Sequence, residues 1–261
     1  MDYQNIQLTM EDSIAYLMLN RPNVCNAFNA QLISEVRGAI QKIKNSHIRV
    51  LVICAAGKHF CAGGDLQWMK DAQHADYQKN YDDMYEISCM FDDIYSIEIP
   101  TIAKVQGAAI GGGVGFVAAC DIAICSTEAV FSLSEAKAGL VPACTTAYLL
   151  HKIPPTYLRR YFITGEKINA QTAHAIGLVS EVCEFENLTG QIALLCDHIL
   201  QCGPNATQMA KALLRDVPNM SYAEFLVHGA KTVAKMRMSD EGREGFQAFL
   251  EKRKPHWRIE N

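Results

Sequence analysis

An α/β fold with a helical C-terminal region is what the sequence predicts, on three observations. Extended and helical runs alternate up to about residue 200, extended runs cease beyond Gln201, and two glycine-rich turns each fall between an extended run and a helical one. The chain of 261 residues has room for one large domain or a domain with an appendage, at roughly 100–200 residues per domain. The division expected is a core over residues 1–200 and a helical region over 201–261.

The elements follow in order. Ile6–Thr9 and Ile14–Leu19 read as a hairpin joined across Glu11-Asp12-Ser13 and stopped at Asn20-Arg21-Pro22, where proline ends the ladder. From Ala30 to Ile43 the residues Leu32, Ile33, Val36, Ile40 and Ile43 fall at helical spacing, and Val50–Cys54 follows as a continuous apolar strand. Pro100–Gln106, Asp121–Ser126 and Ala129–Leu133 read as further strands, with a glycine-rich turn and short helix between the first two. In the tail, Ala206–Asp216, Tyr222–Met236 and Asp240–Lys254 are helical. Their apolar residues, among them Leu214, Phe225, Val233, Phe246, Phe249 and Leu250, exceed what three short helices can hide in one another. Packing on the core and on neighbouring subunits, hence an oligomer, is expected.

Composition excludes several classes. Hydrophobic residues at 49% and charged residues at 20% argue against a disordered, collagen-like or coiled-coil chain. Lys plus Arg number 24 against 28 Asp plus Glu, a net charge of −4, which offers no footprint for nucleic acid. Ten cysteines spread from Cys25 to Cys202 without a C-x-x-C pair read as reduced thiols rather than a disulfide framework or zinc site. The start, Met-Asp-Tyr-Gln-Asn-Ile, lacks a basic n-region, and the uncharged stretch Gly107–Cys120 has 14 residues, short of about 18 for a span. A soluble, cytoplasmic protein with no membrane partner and no metal is expected.

Three segments carry candidate chemistry. In His59-Phe-Cys-Ala-Gly63-Gly64-Asp65-Leu66 two glycines end an extended run and Asp65 is placed to cap a helix from Leu66. Gly107-Ala-Ala-Ile-Gly111-Gly112-Gly113-Val-Gly115 opens a short small-residue helix toward Cys120. Two such turns, each at a helix N-terminus, can supply one N–H apiece to a carbonyl oxygen that becomes an enolate. Each is also a plain strand-to-helix turn or a close-packing site. Third, Glu135 follows the strand to Leu133 amid apolar neighbours. Burial would raise its pKa toward neutrality, where a carboxyl both donates and accepts a proton; a helix-start or ion-pair role is the alternative. Gly113-Val-Gly115-Phe-Val-Ala118 formally fits G-x-G-x-x-A with Glu128 following the next strand, but Gln106–Gly111 intervene between strand and first glycine, against a dinucleotide site.

In this order and spacing the segments resemble the crotonase superfamily of enoyl-CoA hydratases and isomerases. Asn20-Arg21-Pro22-Asn-Val-Cys-Asn26-Ala27-Phe28 resembles its N-R-P-x-x-x-N-A-L/F entrance, and Phe60-Cys-Ala-Gly-Gly-Asp65-Leu its F-x-A-G-x-D-L turn. Gly111–Gly115 with Ala119-Cys-Asp-Ile-Ala123 resembles the G-G-G run, and Glu244-Gly-Phe-Gln-Ala-Phe249-Leu-Glu-Lys252-Arg-Lys the closing E-G-x-x-A-F-x-E-K-R. Asp65-Leu-Gln-Trp68-Met69 and Leu133-Ser-Glu135-Ala-Lys-Ala-Gly-Leu-Val-Pro142-Ala are most like the bacterial methylglutaconyl-CoA hydratase branch.

The resemblance implies a core of repeated ββα turns and a helical tail building a homotrimer or a hexamer of paired trimers. It implies a thioester oxygen bound by the amides of Gly64 and Gly112, with Glu135 as the acid–base group, and no cofactor, since coenzyme A belongs to the substrate. The coenzyme would run past Val24, Ala27, Ala62 and Leu66, with Asp65 and Gln67 among the binding positions and Lys252 meeting its phosphates. A branched glutaconyl acyl group would bring a distal carboxylate for which Lys70 or Lys137 is a candidate partner. One departure stands out: the best-known hydratases carry a second catalytic Glu where this sequence has Gly115. Hydration of a 2-enoyl-CoA is therefore the leading expectation, a Δ3,Δ2-enoyl-CoA isomerase the alternative, and a non-catalytic acyl-CoA-binding or RNA-binding paralogue the third. His59 reads as a loop histidine, and Cys144, Thr145, Trp68 and Met69 as shaping and packing residues.

Overall fold

The computed structural model describes residues 3–258. It opens with the hairpin β1 (Ile6–Glu11) and β2 (Ile14–Leu19), paired Ile6↔Leu19 through Glu11↔Ile14. The loop is just Asp12 and Ser13, at φ 47° and 67°, the two positive values that a tight twisted hairpin needs. Helix α1 (Ala30–Lys44) is capped by the Asn29 side chain, which accepts from the Leu32 amide, and it buries the set Leu32, Ile33, Val36, Ile40 and Ile43.

Strands β3 (Val50–Ala55), β4 (Thr101–Val105), β6 (Ile122–Ser126) and β9 (Glu181–Cys183) extend the hairpin into a six-stranded sheet, order β1-β2-β3-β4-β6-β9, parallel beyond β2. β3 is apolar throughout because it lies in the middle, covered on both faces. A second sheet, β5 (Ala108–Ile110), β7 (Val130–Ser132) and β8 (Lys167–Asn169), pairs β5 with β7 in parallel and β7 with β8 antiparallel. β5 lies inside the segment read from sequence as a glycine turn. Between the sheets' strands run α2 (Leu66–Ala72), α3 (Tyr77–Ser96), α4 (Gly112–Ala119), α5 (Thr146–Lys152), α6 (Pro155–Thr164) and α7 (Ala170–Ala175). The twenty-residue α3 is absent from the sequence reading. Its buried residues, Ile87, Met90, Phe91 and Ile94, follow helical spacing, but they all lie in its second half.

Helix α8 (Phe185–Leu200) leads to α9 (Pro204–Asp216), α10 (Tyr222–Met238) and α11 (Asp240–Leu250). A capping box of Ser221 and Glu224 starts α10. α11 stops at Leu250 rather than Lys254, since Lys252 turns left-handed at φ 55°. By internal contacts the chain forms two units: the chain to Ile97 with Thr101–Ala193, and Glu98–Pro100 with the chain from Leu194 on. Among the described residues no helix is long and apolar enough to cross a membrane, and all ten cysteines are free thiols.

Candidate active site

The entrance segment is a clamp. Asn26 is fully buried; its Nδ2 donates to the carbonyls of Ala56 and His59, both at 2.8 Å, while its Oδ1 accepts from the Arg21 amide at 2.8 Å. Asn26 and Cys25 sit at φ 55° and 52°, a region in which asparagine is at less disadvantage than most side chains. The Arg21 guanidinium donates to the Ala27 carbonyl and pairs with Asp65 at 2.9 Å. The other Asp65 oxygen accepts from the Gln67 and Trp68 amides, capping α2. Burial works to raise the Asp65 pKa, yet Arg21 and the two amides outweigh it and hold the carboxyl below its ordinary value. With both oxygens engaged, Asp65 organises the turn.

Parallel pairing then brings three chain segments to a common end. β5 runs beside β7 with Ile110 opposite Ser132, and Cys61 bridges Ala109 in the same sense. The three segments therefore end together, and within three residues of the last pairs come Gly63-Gly64, Gly111-Gly112 and Glu135. The carboxyl ends of parallel strands are where α/β folds place ligands. A Cβ on Gly63 would stand 3.7 Å from the Gly112 nitrogen and 2.9 Å from the Ile110 carbonyl oxygen, so only glycine lets the turns meet; its φ of 89° requires glycine as well.

Both candidate amides are left unpaired by this geometry. Gly64 bridges Phe28 in parallel, and that bridge uses the Gly63 carbonyl (2.8 Å from Phe28 N) and the Asp65 amide (2.9 Å to Phe28 O). The N–H of Gly64 itself therefore faces away from Phe28. Gly112 is the first residue of α4, where amides have no intrahelical acceptor. Among the described residues neither amide has a hydrogen-bond acceptor in the chain.

Glu135 opens a short 3-10 turn (Glu135–Ala138) beyond β7. Its carboxyl comes against Gly111, where a Cβ would stand 3.2 Å from Oε1. Oε2 is buried without a hydrogen-bond partner among the described residues. Burial pushes its pKa up, only partly offset by its own backbone amide. A half-desolvated carboxyl with a spare oxygen beside two free amides is equipped to shuttle a proton next to a carbonyl.

Gly115 stands where the family resemblance would put a second Glu. A Cβ there would stand 2.5 Å from Phe91 Cζ and 2.6 Å from Thr145 Cγ2. Phe91 is 0% and Thr145 3% exposed, so the position is solid core. Thr145 spends its hydroxyl on the Pro142 carbonyl at 3.1 Å. Phe91 also meets Phe116 edge-on, with ring centres 5.4 Å apart. Sequence reasoning missed Phe91; the helical spacing of Ile87, Met90, Phe91 and Ile94 was the available signal.

Of the other expected residues, Val24, Ala62, Leu66 and Gln67 are exposed, and Ala27 is buried. Lys252 is exposed in the second unit. Lys137 is exposed and runs along Gly165, its Cε 3.2 Å from where a Cβ would be. His59 accepts the Ala108 amide through Nδ1 at 3.2 Å, a loop-fixing role. Met69 covers Gly64, its sulfur 3.5 Å from a Cβ there. Cys144 donates to the Met84 carbonyl at 3.7 Å.

Two glycine amides without an acceptor and one partly buried carboxyl follow the ends of parallel-paired segments, on a fold of the crotonase type. The enoyl-CoA hydratase/isomerase family pattern matches residues 9–260. The solved enoyl-CoA hydratase of Shewanella pealeana is 32% identical, with a TM-score of 0.94 over 98% of this chain and 97% of that one. A carnitinyl-CoA dehydratase of Proteus mirabilis is 30% identical over 98% of each chain. A crotonyl-CoA hydratase of Syntrophomonas wolfei is 29% identical over 98% of this chain and 99% of its own. The chain belongs to the enoyl-CoA hydratase/isomerase family.

Proposed function

We propose that this enzyme adds water reversibly across the 2,3 double bond of an enoyl-CoA thioester. In this reading the amides of Gly64 and Gly112 bind the thioester oxygen and carry the charge that moves onto it. Glu135 takes a proton from water as its oxygen bonds to the β-carbon, and returns that proton to the α-carbon as the enolate collapses. One oxyanion donor is worth about 3–4 kcal/mol of barrier, and a positioned acid–base group about 10²–10⁴-fold. The observation that carries the reading is the placement of both unpaired amides and the partnerless Glu135 oxygen at one strand end.

Relatives of nearly equal similarity are named for different acyl groups, so the acyl group is assigned from the finer sequence likeness: a branched glutaconyl thioester. Coenzyme A arrives with the substrate, and no further cofactor is called for. Leu214, Phe246, Phe249 and Leu250 stand exposed in the second unit, which supports a trimeric or hexameric assembly. The packed Gly115 position favours a second reading, a Δ3,Δ2-enoyl-CoA isomerase, because moving a double bond needs one proton carrier and no activated water. Incubation with crotonyl-CoA, 3-methylglutaconyl-CoA and a 3-enoyl-CoA, with products identified by mass, decides. Hydroxyacyl products support the hydratase; double-bond migration without gain of water supports the isomerase; no turnover of any overturns both.

A further inference from the structure

The two amides of the candidate oxyanion hole come from turns 48 residues apart in sequence (112 − 64), so something must fix their separation to a fraction of an ångström. Donors work only at about 2.7–3.1 Å from the oxyanion. Phe28 touches both turns. The main chain of Phe28 grips the first, its N–H donating to Gly63 O at 2.8 Å and its carbonyl accepting from Asp65 N at 2.9 Å. Its ring lies on the second: a Cβ on Gly112 would stand 2.5 Å from Cζ and 2.6 Å from Cε1. The ring is itself held edge-on by Trp68 at 6.4 Å and Phe116 at 6.2 Å between centres, and Phe28 is 3% exposed.

We propose that Phe28 is the positioning residue that sets the spacing of the Gly64 and Gly112 amides, its backbone holding one and its ring the other. The proposal rests on the reading of those amides as the oxyanion hole. Phe28 reaches no reacting atom in this account; it acts through Gly112. Removing the ring leaves a void against Gly112 that the start of α4 relaxes into, as packed groups do around deleted side chains. A misplacement of about 1 Å in such a constellation costs roughly 10²-fold in rate.

The test uses a 2,4-dienoyl-CoA, whose conjugated carbonyl absorbs at longer wavelength when hydrogen bonds polarise it. Binding is measured in a Glu135→Gln background, so that the probe is not turned over, with and without Phe28→Ala or Phe28→Val. With Phe28 intact the band moves to longer wavelength. With Phe28→Ala most of that movement is lost, and with Glu135 restored kcat on the enoyl-CoA falls by about 10²-fold while KM and the pH profile hold. Should Phe28→Ala fail to fold, Phe28→Val, whose side chain stops at Cγ and short of Gly112, is read the same way. A full band shift and full kcat in a folded Phe28 variant overturn the proposal and leave the hole standing. Absence of any shift with Phe28 intact overturns the oxyanion-hole reading itself, and this proposal with it.

Discussion

Gly115→Ala tests whether the place of a second carboxylate is closed in this enzyme. The new Cβ would meet Phe91 Cζ at 2.5 Å, Thr145 Cγ2 at 2.6 Å and Phe91 Cε1 at 2.9 Å. Carbon–carbon contacts relax at about 3.5–4.0 Å, so the intrusions run to roughly 0.6–1.5 Å. Neither neighbour has an open side to move into, since both are buried. Overpacking of this kind costs about 1–3 kcal/mol; with two packed partners the upper half applies, about 2–3 kcal/mol. Alanine returns about 1 kcal/mol through helix propensity, leaving a net loss of about 1–2 kcal/mol. For a chain of this size that lowers Tm by roughly 2–8 °C. Thermal and urea unfolding of Gly115→Ala, Phe91→Leu and the double variant measure it. The double variant should be less destabilised than the sum of the singles by about 1 kcal/mol, within the range for contacting residues. Wild-type stability in Gly115→Ala, or additivity within about 0.3–0.5 kcal/mol, would refute the packing argument and reopen position 115 to catalysis.

Other outcomes follow from the same geometry. Glu135→Gln should lower kcat by about 10²–10⁴-fold with little change in KM, read by steady-state kinetics. In wild type the base form of Glu135 is lost as pH falls through its raised pKa, so kcat/KM should decline at a pH above the ordinary carboxylate range, and the decline should be absent from the residual activity of Glu135→Gln. The sign for stability is opposite to that of a paired carboxylate: folding disfavours the ionised form, so stability is lost as pH rises through the folded pKa. Glu135→Gln should therefore melt higher than wild type at neutral pH and equal to it in acid. Asn26→Ala leaves two carbonyls and one amide without the partners they have now. At about 1–3 kcal/mol per unsatisfied buried group, a loss of at least about 3 kcal/mol is expected in urea unfolding.

Much of the site was legible wherever the chemistry is local. The cap of Asp65 on α2 and the desolvation of Glu135 follow from a few neighbouring residues, and both stand in the structure. The hairpin, α1 and the buried β3 were equally readable, because their periodicity covers the whole element. α3 was not, since its first half is exposed and blurs the pattern. β5 hid in a run whose glycines spell a turn, and only pairing with β7 makes it a strand. The pairing of Arg21 with the second Asp65 oxygen joins residues far apart in the chain and is seen only in the structure. Helical spacing marks Phe91 as a core residue, but its contact with Gly115, 24 positions on (115 − 91), exists only through the packing of α3 on α4. The role of Phe28 likewise exists only once two distant turns meet.

The central claim is that one carboxyl and two backbone amides add water to an enoyl thioester, and isotopic product analysis tests it most directly. Incubation of enoyl-CoA with the enzyme in heavy-oxygen water should place the label on the β-carbon of a 3-hydroxyacyl-CoA, with incorporation all but lost in Glu135→Gln. Unlabelled product with a shifted double bond, or label incorporated as fast without Glu135 as with it, would contradict the account.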